Sequence, residues 1–233
     1  MRRASRSSFR PKAREIEHGW CKIKAKTERS IFQFEEWIKM RVEGELEKLE
    51  ASVWRRWEEA VLDRRHPFRL LTVSTIGVEG APRARMVVLR DVASPQRRLS
   101  FHTDARSSKV GDIAADTRVS LLVWDEQDRV QLRAEGEASL WRTSSSKGAA
   151  AFRGLSDDAR NAYRGPVAAG LPIDHPDAAR LESVAGQDTA EQNFVLVRCV
   201  IRRLEWLQLQ DGRQRRAEFL YSGRGAIRHW IAP

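Results

Sequence analysis

The stretch that decides the fold is Arg83–Lys109, with the sequence RARMVVLRDVASPQRRLSFHTDARSSK. Its first part, Arg83–Arg90, has a hydrophobic centre and predicts a strand. Hydrophobic and polar residues alternate over Arg97–Thr103, which predicts a second strand. A helical pattern follows, and Ser107 or Ser108 is a suitable N-cap residue for that helix.

The start of this helix has the chemistry of a phosphate site. The first turn of a helix presents unpaired backbone N–H groups and a partial positive charge. Arg106, Lys109 and two serines add further donors, and Arg85 on the neighbouring strand can reach the same anion. We therefore expect the rest of the chain to build a barrel around an anion-binding site.

The segments on either side predict helices towards the N-terminus and mostly strands towards the C-terminus. Hydrophobic residues recur at three- and four-residue steps over Glu43–Leu62, which predicts an amphipathic helix after a short amphipathic segment at Ile31–Ile38. The hydrophobic period then changes to two, most clearly over Arg129–Trp141. The other predicted elements are strands at Phe68–Ile76, Val119–Trp124, Asn193–Leu209 and Arg215–Tyr221, helices at Ser108–Ala115, Ser144–Arg153 and Ser156–Tyr163, and a surface loop at Gly165–Gln192.

These elements predict a mainly β (α+β) fold with peripheral helices and an N-terminal helical extension. Short hairpin links favour an antiparallel meander, and closing it into a barrel removes exposed strand edges. We expect a basic extension at residues 1–44, partly disordered or helical, and a barrel domain at residues 45–233. The sequence lacks the G-x-G-x-x-G, P-loop, H-E-x-x-H and G-x-S-x-G motifs.

Positive charge is concentrated near the N-terminus. The 233 residues have a net charge of +10, and residues 1–30 hold ten basic side chains against three acidic ones. One interpretation is an arm that binds nucleic acid. We favour a solvated extension, because no folded DNA-binding motif accompanies the charge. The Arg- and Ser-rich, acid-poor start also resembles a transit peptide.

Cysteine usage and hydropathy indicate the cellular setting. The sequence has no secretory-signal pattern and no hydrophobic run long enough to span a membrane. Its two cysteines form no metal-binding pattern. We therefore expect a cytoplasmic protein without a bound metal, in which Cys199 is a small core residue.

Several segments, in the same order, are similar to the pyridoxamine 5′-phosphate oxidase family. Residues 85–90 (RMVVLR) and 99–104 (LSFHTD) resemble its two flavin-binding strands, and residues 106–109 (RSSK) resemble its phosphate loop. The similarity continues through VSLL at 119–122, QLRAEGEA at 131–138 and WIAP at 230–233. It covers about Leu62 to Pro233.

The resemblance implies an FMN-binding split barrel over residues 45–233 and a homodimer with one FMN at each of two sites between subunits. Arg85, Ser108 and Lys109 would hold the FMN phosphate, and Trp206 and Arg216 would approach from the partner subunit. The implied cofactor-binding residues are Arg85, Met86, Val87, Val88, His102, Thr103, Ser107, Ser108, Lys109, Gln131 and Trp206, and an anionic substrate would bind Arg90 and Arg216.

The chain departs from the family's pattern at several of these positions. His102 stands where the oxidase usually has Tyr, and Ser108 stands where many members have Arg. Gln214-x-Arg216 replaces an Arg-x-His pair, and Ala151 lies where a substrate-contacting Tyr is expected. The resemblance therefore implies FMN binding more strongly than it implies oxidation of pyridoxamine phosphate.

We expect an FMN-dependent oxidoreductase that transfers hydride between FMN and a small, anionic or phosphorylated substrate. The family mainly positions the substrate and tunes the flavin, so no catalytic acid or base is assigned. One alternative is a flavin carrier or sensor without turnover. A further alternative is a site that holds a deazaflavin or a haem.

Overall fold

One long helix opens the described part of the chain. The computed structural model describes residues 13–176, 187–210, 212–223 and 225–233. Helix α1 spans Ala13–Leu62 without interruption. The helix predicted at Glu43–Leu62 is therefore confirmed with its C-terminal bound, but it begins well before Glu43 and includes the amphipathic segment at Ile31–Ile38. No proline occurs within α1, and each of its two glycines, Gly19 and Gly44, costs too little to end a helix.

The chain divides into two units, Met1–Glu45 and Leu46–Pro233. Residues 1–12 of the basic arm and residues 177–186 of the expected surface loop lie outside the described residues. In the second unit, the last turns of α1 bury Leu46, Val53 and Trp57 in the same core as the strands. None of the described helices is both long and hydrophobic enough to cross a membrane.

Eight antiparallel strands make up the described sheet, and each end of a strand is set by a turn or a helix. Two short 3-10 turns at Pro67–Arg69 and Ser94–Gln96 precede the first and third strands. The strands are β1 Leu70–Ile76, β2 Pro82–Ala93, β3 Arg98–Asp104, β4 Arg118–Asp125, β5 Val130–Arg142, β6 Phe194–Gln210, β7 Arg213–Ser222 and β8 Gly225–Ile231, and the remaining helices are α2 Ser108–Ala115, α3 Ser146–Arg153, α4 Asp157–Asn161 and α5 Gln187–Asn193.

Six of these strands close into a barrel. The order across the sheet is β3-β2-β1-β4-β5-β6-β7-β8, and an additional pairing of β3 with β6 closes the ring. The predicted closed antiparallel barrel is confirmed. The simple meander is wrong, because α2 carries the chain away from β3 and β4 pairs with β1 instead.

The long strand β6 has different partners in its two halves along one edge. Its first half, Phe194–Val200, pairs with β3, and its second half, Arg203–Gln210, pairs with β7 along the same edge. A register shift in the opposite partner, β5, lies at Glu135/Gly136, next to this division. A Cβ atom on Gly136 would lie 2.0 Å from the backbone oxygen of Val200, so this close approach requires glycine.

Two further elements differ from the sequence prediction. Helix α5 occupies Gln187–Asn193, where the surface loop was expected to continue. Strand β8 pairs along β7 from Arg216↔Ile231 to Ser222↔Gly225 and was not predicted as a strand. Its residues are half-exposed, so the hydrophobic alternation that marks a strand is weak there. Cys199 is fully buried, as expected.

Candidate functional site

A slot opens between two adjacent strands of the barrel. β2 and β3 are paired only from Leu89 and Phe101 towards their connecting turn. Beyond that point β2 continues along β1, and β3 continues along β6 as far as Asp104. The rim of the slot is therefore formed by Met86–Val88 on one side and His102–Asp104 on the other. Each side of the rim is paired with its outer neighbour, β1 or β6, but the two sides are not paired with each other in the described sheet, so the backbone groups that face the slot can bind a ligand.

A group of cations lies at the open end of the slot. The Lys109 ammonium is 3.1 Å from Thr103 Oγ1 and 2.5 Å from Ser107 Oγ. The Arg85 guanidinium donates to Thr75 Oγ1 at 2.6 Å. Burial lowers the pKa of Lys109, and the neighbouring Arg85 charge lowers it further. The structure thus brings together the two cations that the sequence assigned to a phosphate.

A buried carboxylate holds this group in place. Asp112, on α2, is 1% exposed. Its Oδ2 accepts from Thr75 Oγ1 at 2.8 Å and from Arg85 Nη2 at 3.2 Å. Its Oδ1 accepts from Arg83 Nη1 at 3.1 Å. We call Arg83, Arg85, Lys109 and Asp112 the phosphate cluster.

Sequence analysis missed Arg83, Thr75 and Asp112 as members of this site. Two signals were present. Arg83 and Arg85 are two residues apart on a strand and so share a face, and Lys109 and Asp112 are three apart on a helix. What the sequence does not show is that these two faces meet.

Arg106, in the loop before α2, is paired with an acidic neighbour, whereas the sequence analysis counted it among the donors of the phosphate site. Its Nε and Nη2 atoms donate to Asp104 Oδ1 and Oδ2 at 3.0 and 2.7 Å, and Nη1 donates to the Gly165 oxygen at 2.9 Å. The hydrogen bond to Asp104 raises the pKa of Arg106. Its charge is therefore balanced outside the phosphate cluster. Ser107 occupies the N-cap position, but its hydroxyl accepts from Lys109 and does not cap the helix.

One ring nitrogen of His102 has no hydrogen-bond partner among the described residues. Its ring packs edge-on against Phe194, with 4.9 Å between ring centres. Its Nδ1 atom is buried and has no hydrogen-bond partner among the described residues. Burial lowers the pKa of His102 to about 4, and the positive charge of Arg90 contributes to this shift. The ring is therefore neutral at pH 7, and Nδ1 is left without a hydrogen-bond partner in the described structure.

A cationic cavity of about 520 Å³ adjoins His102. Four cations and one carboxylate, Asp91, line it, and the Nε atoms of Arg98 and Arg198 are buried there without acceptors in the described structure. The Lys147 ammonium lies 4.0 Å from the centre of the Trp141 ring. The full lining is Arg90, Asp91, Arg98, His102, Ser146, Lys147, Ala150, Ala151, Gly154, Leu155, Leu196 and Arg198.

The remaining predicted residues lie elsewhere on the sheet. Gln131 is half-buried on β5 and pairs with Trp124. Trp206 is 6% exposed and packs edge-on against Trp230 at 6.3 Å. Arg216 donates to the buried Glu205 carboxylate, with its Nε at 3.1 Å. Arg216 and Trp206 do not line the cationic cavity of this chain.

Comparison with known proteins shows which family part of this chain is similar to. Residues 51–142 match the family model described as pyridoxamine 5′-phosphate oxidase, FMN-binding domain. The pyridoxine/pyridoxamine 5′-phosphate oxidase of Cupriavidus necator is 30% identical over 143 residues, which are 60% of this chain and 59% of that protein. The enzyme of the same name from Granulibacter bethesdensis is 40% identical over 72 residues, covering 29% of this chain and 33% of its own length. The chain thus spans less than two thirds of the relatives it matches.

Solved structures share the fold. A pyridoxamine 5′-phosphate oxidase-related, FMN-binding protein from Nostoc punctiforme superposes with a TM-score of 0.61 at 24% identity, over 71% of this chain and 88% of that one. PhzG from Burkholderia lata, solved with tetrahydrophenazine-1-carboxylic acid, also gives a TM-score of 0.61, at 18% identity over 78% and 92% of the two chains. The sequence resemblance is therefore confirmed: residues 51–142 match the FMN-binding domain model of the pyridoxamine 5′-phosphate oxidase family, and the chain shares the split-barrel fold of these solved structures.

Proposed function

We propose that this protein is an FMN-dependent oxidoreductase, with the phosphate of FMN on the phosphate cluster and its ring in the slot between β2 and β3. The observation that carries the proposal is the convergence of Arg85 and Lys109 at the end of a slot whose rim has unpaired backbone groups. Two cations at a helix start suit a phosphate, and an unpaired strand edge suits the polar edge of a flat ring.

The side chains around the slot fit the rest of the cofactor. Ser107, Ser108 and Thr103 offer hydroxyls near Lys109, and the His102 Nδ1 atom lacks a partner in the described structure. Met86–Val88 would line the ring with backbone groups, and Gln131 would hydrogen-bond to it. When bound, FMN supplies the capacity to accept or donate a hydride.

The cationic cavity would bind the substrate. Arg90 lines it, and the charge of Arg90 also acts on His102, so the cavity and the slot are neighbours. Four cations against one carboxylate favour a small anionic substrate. The names of the relatives, which are oxidases of 5′-phosphate compounds, support a phosphorylated one.

We further propose a homodimer. Met86, Leu122 and Trp124 are 64%, 39% and 42% exposed on neighbouring strands of one sheet face. Exposed hydrophobic residues grouped in this way mark an interaction surface, and a second copy would cover them. In such a dimer Trp206 and Arg216 would serve the partner's site. A cytoplasmic location, a separate extension at residues 1–44 and a nucleic-acid role for its basic arm stay predictions.

Purification and titration test the cofactor assignment. We expect a yellow protein whose FMN-free form regains the flavin absorption spectrum on titration with FMN. Lys109→Met should weaken FMN binding by about 10- to 100-fold, because it removes a charge-assisted contact to the phosphate. Lys48→Met, at an exposed position on α1, is the matched control and should bind like the wild type. A colourless protein that does not bind added FMN would refute the proposal.

Turnover separates the enzyme from a carrier or sensor. We expect oxygen uptake, or reduction of an oxidised nicotinamide, when the FMN-loaded protein receives an oxidisable anionic substrate such as pyridoxine 5′-phosphate. Arg90→Gln should raise KM for the substrate while leaving FMN affinity unchanged, since Arg90 lines the cavity and is not part of the phosphate cluster. An FMN-loaded protein that never exchanges electrons with any such substrate would favour the carrier alternative.

A further inference from the structure

We propose that Arg83 is a second phosphate-binding arginine of the FMN site, and that Asp112 is the residue that positions Arg83 and Arg85 together. The inference rests on the proposed function, because it concerns the same phosphate. It assigns a role to two residues that neither the sequence motifs nor the family resemblance singled out.

The first argument is geometric. Arg83 and Arg85 project from the same face of β2, and both reach the carboxylate of Asp112 on α2, at 3.1 and 3.2 Å. One carboxylate oxygen serves each arginine. The shared anchor thus fixes the two guanidinium groups side by side, and the Arg85 charge is close enough to Lys109 to lower the pKa of that lysine.

The second argument is that Arg83 keeps donors for a ligand. Asp112 is buried, but the Arg83 side chain is 42% exposed and the Arg85 side chain is 21% exposed. A guanidinium has five N–H donors. Arg83 uses one of them on Asp112 among the hydrogen bonds in the described structure. The others can point towards an anion at the cluster surface.

The third argument is charge. A phosphate monoester carries about −1.5 to −2 charges at pH 7. Arg85 and Lys109 against Asp112 leave one net positive charge, and adding Arg83 makes two, which matches the ligand. The helix start contributes no further side-chain charge, since Ser108 is neutral and Arg106 is paired with Asp104.

Asp112 therefore has a positioning role. Its burial would be costly without donors, and Thr75, Arg83 and Arg85 supply them. Without its carboxylate, the two arginines would lose the contact that holds them parallel. Asp112 should thus influence phosphate binding although its negative charge would repel a phosphate directly.

The test compares FMN with riboflavin, which has the same ring system and no phosphate. The FMN-free full-length protein is titrated with each compound, and the loss of flavin fluorescence gives Kd. Arg83→Gln should weaken FMN binding about tenfold and leave riboflavin binding unchanged. Arg83→Lys, which keeps the charge, should recover part of the loss. Asp112→Asn should weaken FMN binding several-fold with little effect on riboflavin.

Arg118→Gln is the matched control. Arg118 is an exposed arginine on β4, paired with Asp116, and it is outside the phosphate cluster. Thermal unfolding of each variant shows whether it folds correctly. If Arg83→Gln is poorly folded, the Arg83→Lys variant is compared with the wild type in its place. The control should retain the wild-type ratio of the two affinities.

Three outcomes would overturn the inference, and they can be told apart. If the wild type discriminates FMN from riboflavin and Arg83→Gln discriminates equally well, Arg83 does not touch the phosphate. If Arg83→Gln weakens both flavins alike, its role is structural. If the wild type binds neither flavin, or binds both equally, the phosphate site itself fails and the proposed function fails with it.

Discussion

His102 makes the stability of the flavin-free protein depend on pH in a defined direction. The folded-state pKa is lowered to about 4, mainly by burial, whereas an unfolded histidine titrates near 6.5. Between these values the unfolded chain takes up a proton that the folded protein does not. The free energy of unfolding therefore falls as the pH is lowered through that window, and this contribution is fully present above pH 6.5.

The size of the effect follows from the two pKa values. From pH 7.5 to pH 5, the histidine should cost the folded state about 2 kcal/mol. Urea unfolding of the flavin-free protein at both pH values measures the total loss, to which carboxylates also contribute. His102→Phe keeps a ring against Phe194 and cannot titrate, so subtracting its loss from that of the wild type isolates the histidine.

The variant should therefore lose about 2 kcal/mol less stability than the wild type over this range. The same difference should vanish between pH 7.5 and pH 8.5, where neither state titrates at this residue. Equal losses for the two proteins between pH 7.5 and pH 5 would show that His102 is well solvated. The argument for an unsatisfied, buried Nδ1 in the slot would then be refuted.

Three other substitutions test the fold by unfolding free energy. Gly136→Ala should destabilise the protein by about 3 kcal/mol or more, because the new Cβ would lie 2.0 Å from a backbone oxygen of β6. An unchanged Tm would contradict this packing. Gly111→Ala, in α2 with no atom within 4 Å of the new Cβ, should stabilise by about 0.5 to 1 kcal/mol; destabilisation would mean that the site is crowded. Arg56→Ala should cost about 2 kcal/mol, since it leaves the buried Asp125 carboxylate without its partner, whereas the exposed Arg55→Ala should cost little.

The sequence predicts the local parts of the site well. Ser108–Ala115 is a helix with the predicted bounds, and the Arg85 charge acts on Lys109 at its start. These features depend on hydrophobic period and on residues within one strand–turn–helix segment. They can therefore be predicted without knowing how distant segments pack.

Features that depend on distant segments could not be predicted in this way. The partnership of Arg83 with Asp112 requires β2 and α2 to meet across β1, and the pairing of β3 with β6 joins residues 90 to 102 positions apart. Tertiary pairing also makes β8 a strand despite its weak alternation. In each case the deciding interaction lies outside the window that a local pattern can report.

The shared edge of β6 has a consequence for how this protein can vary. One strand sets the register of β3 in its first half, of β7 in its second half, and of β5 along its whole length. A single inserted residue within it would turn its own side chains beyond the insertion to the other face of the sheet, out of register with these neighbours. Insertions and deletions in homologues should therefore be rare within this strand and more frequent in the segment before it. The C-terminal hairpin should keep a fixed position relative to the slot.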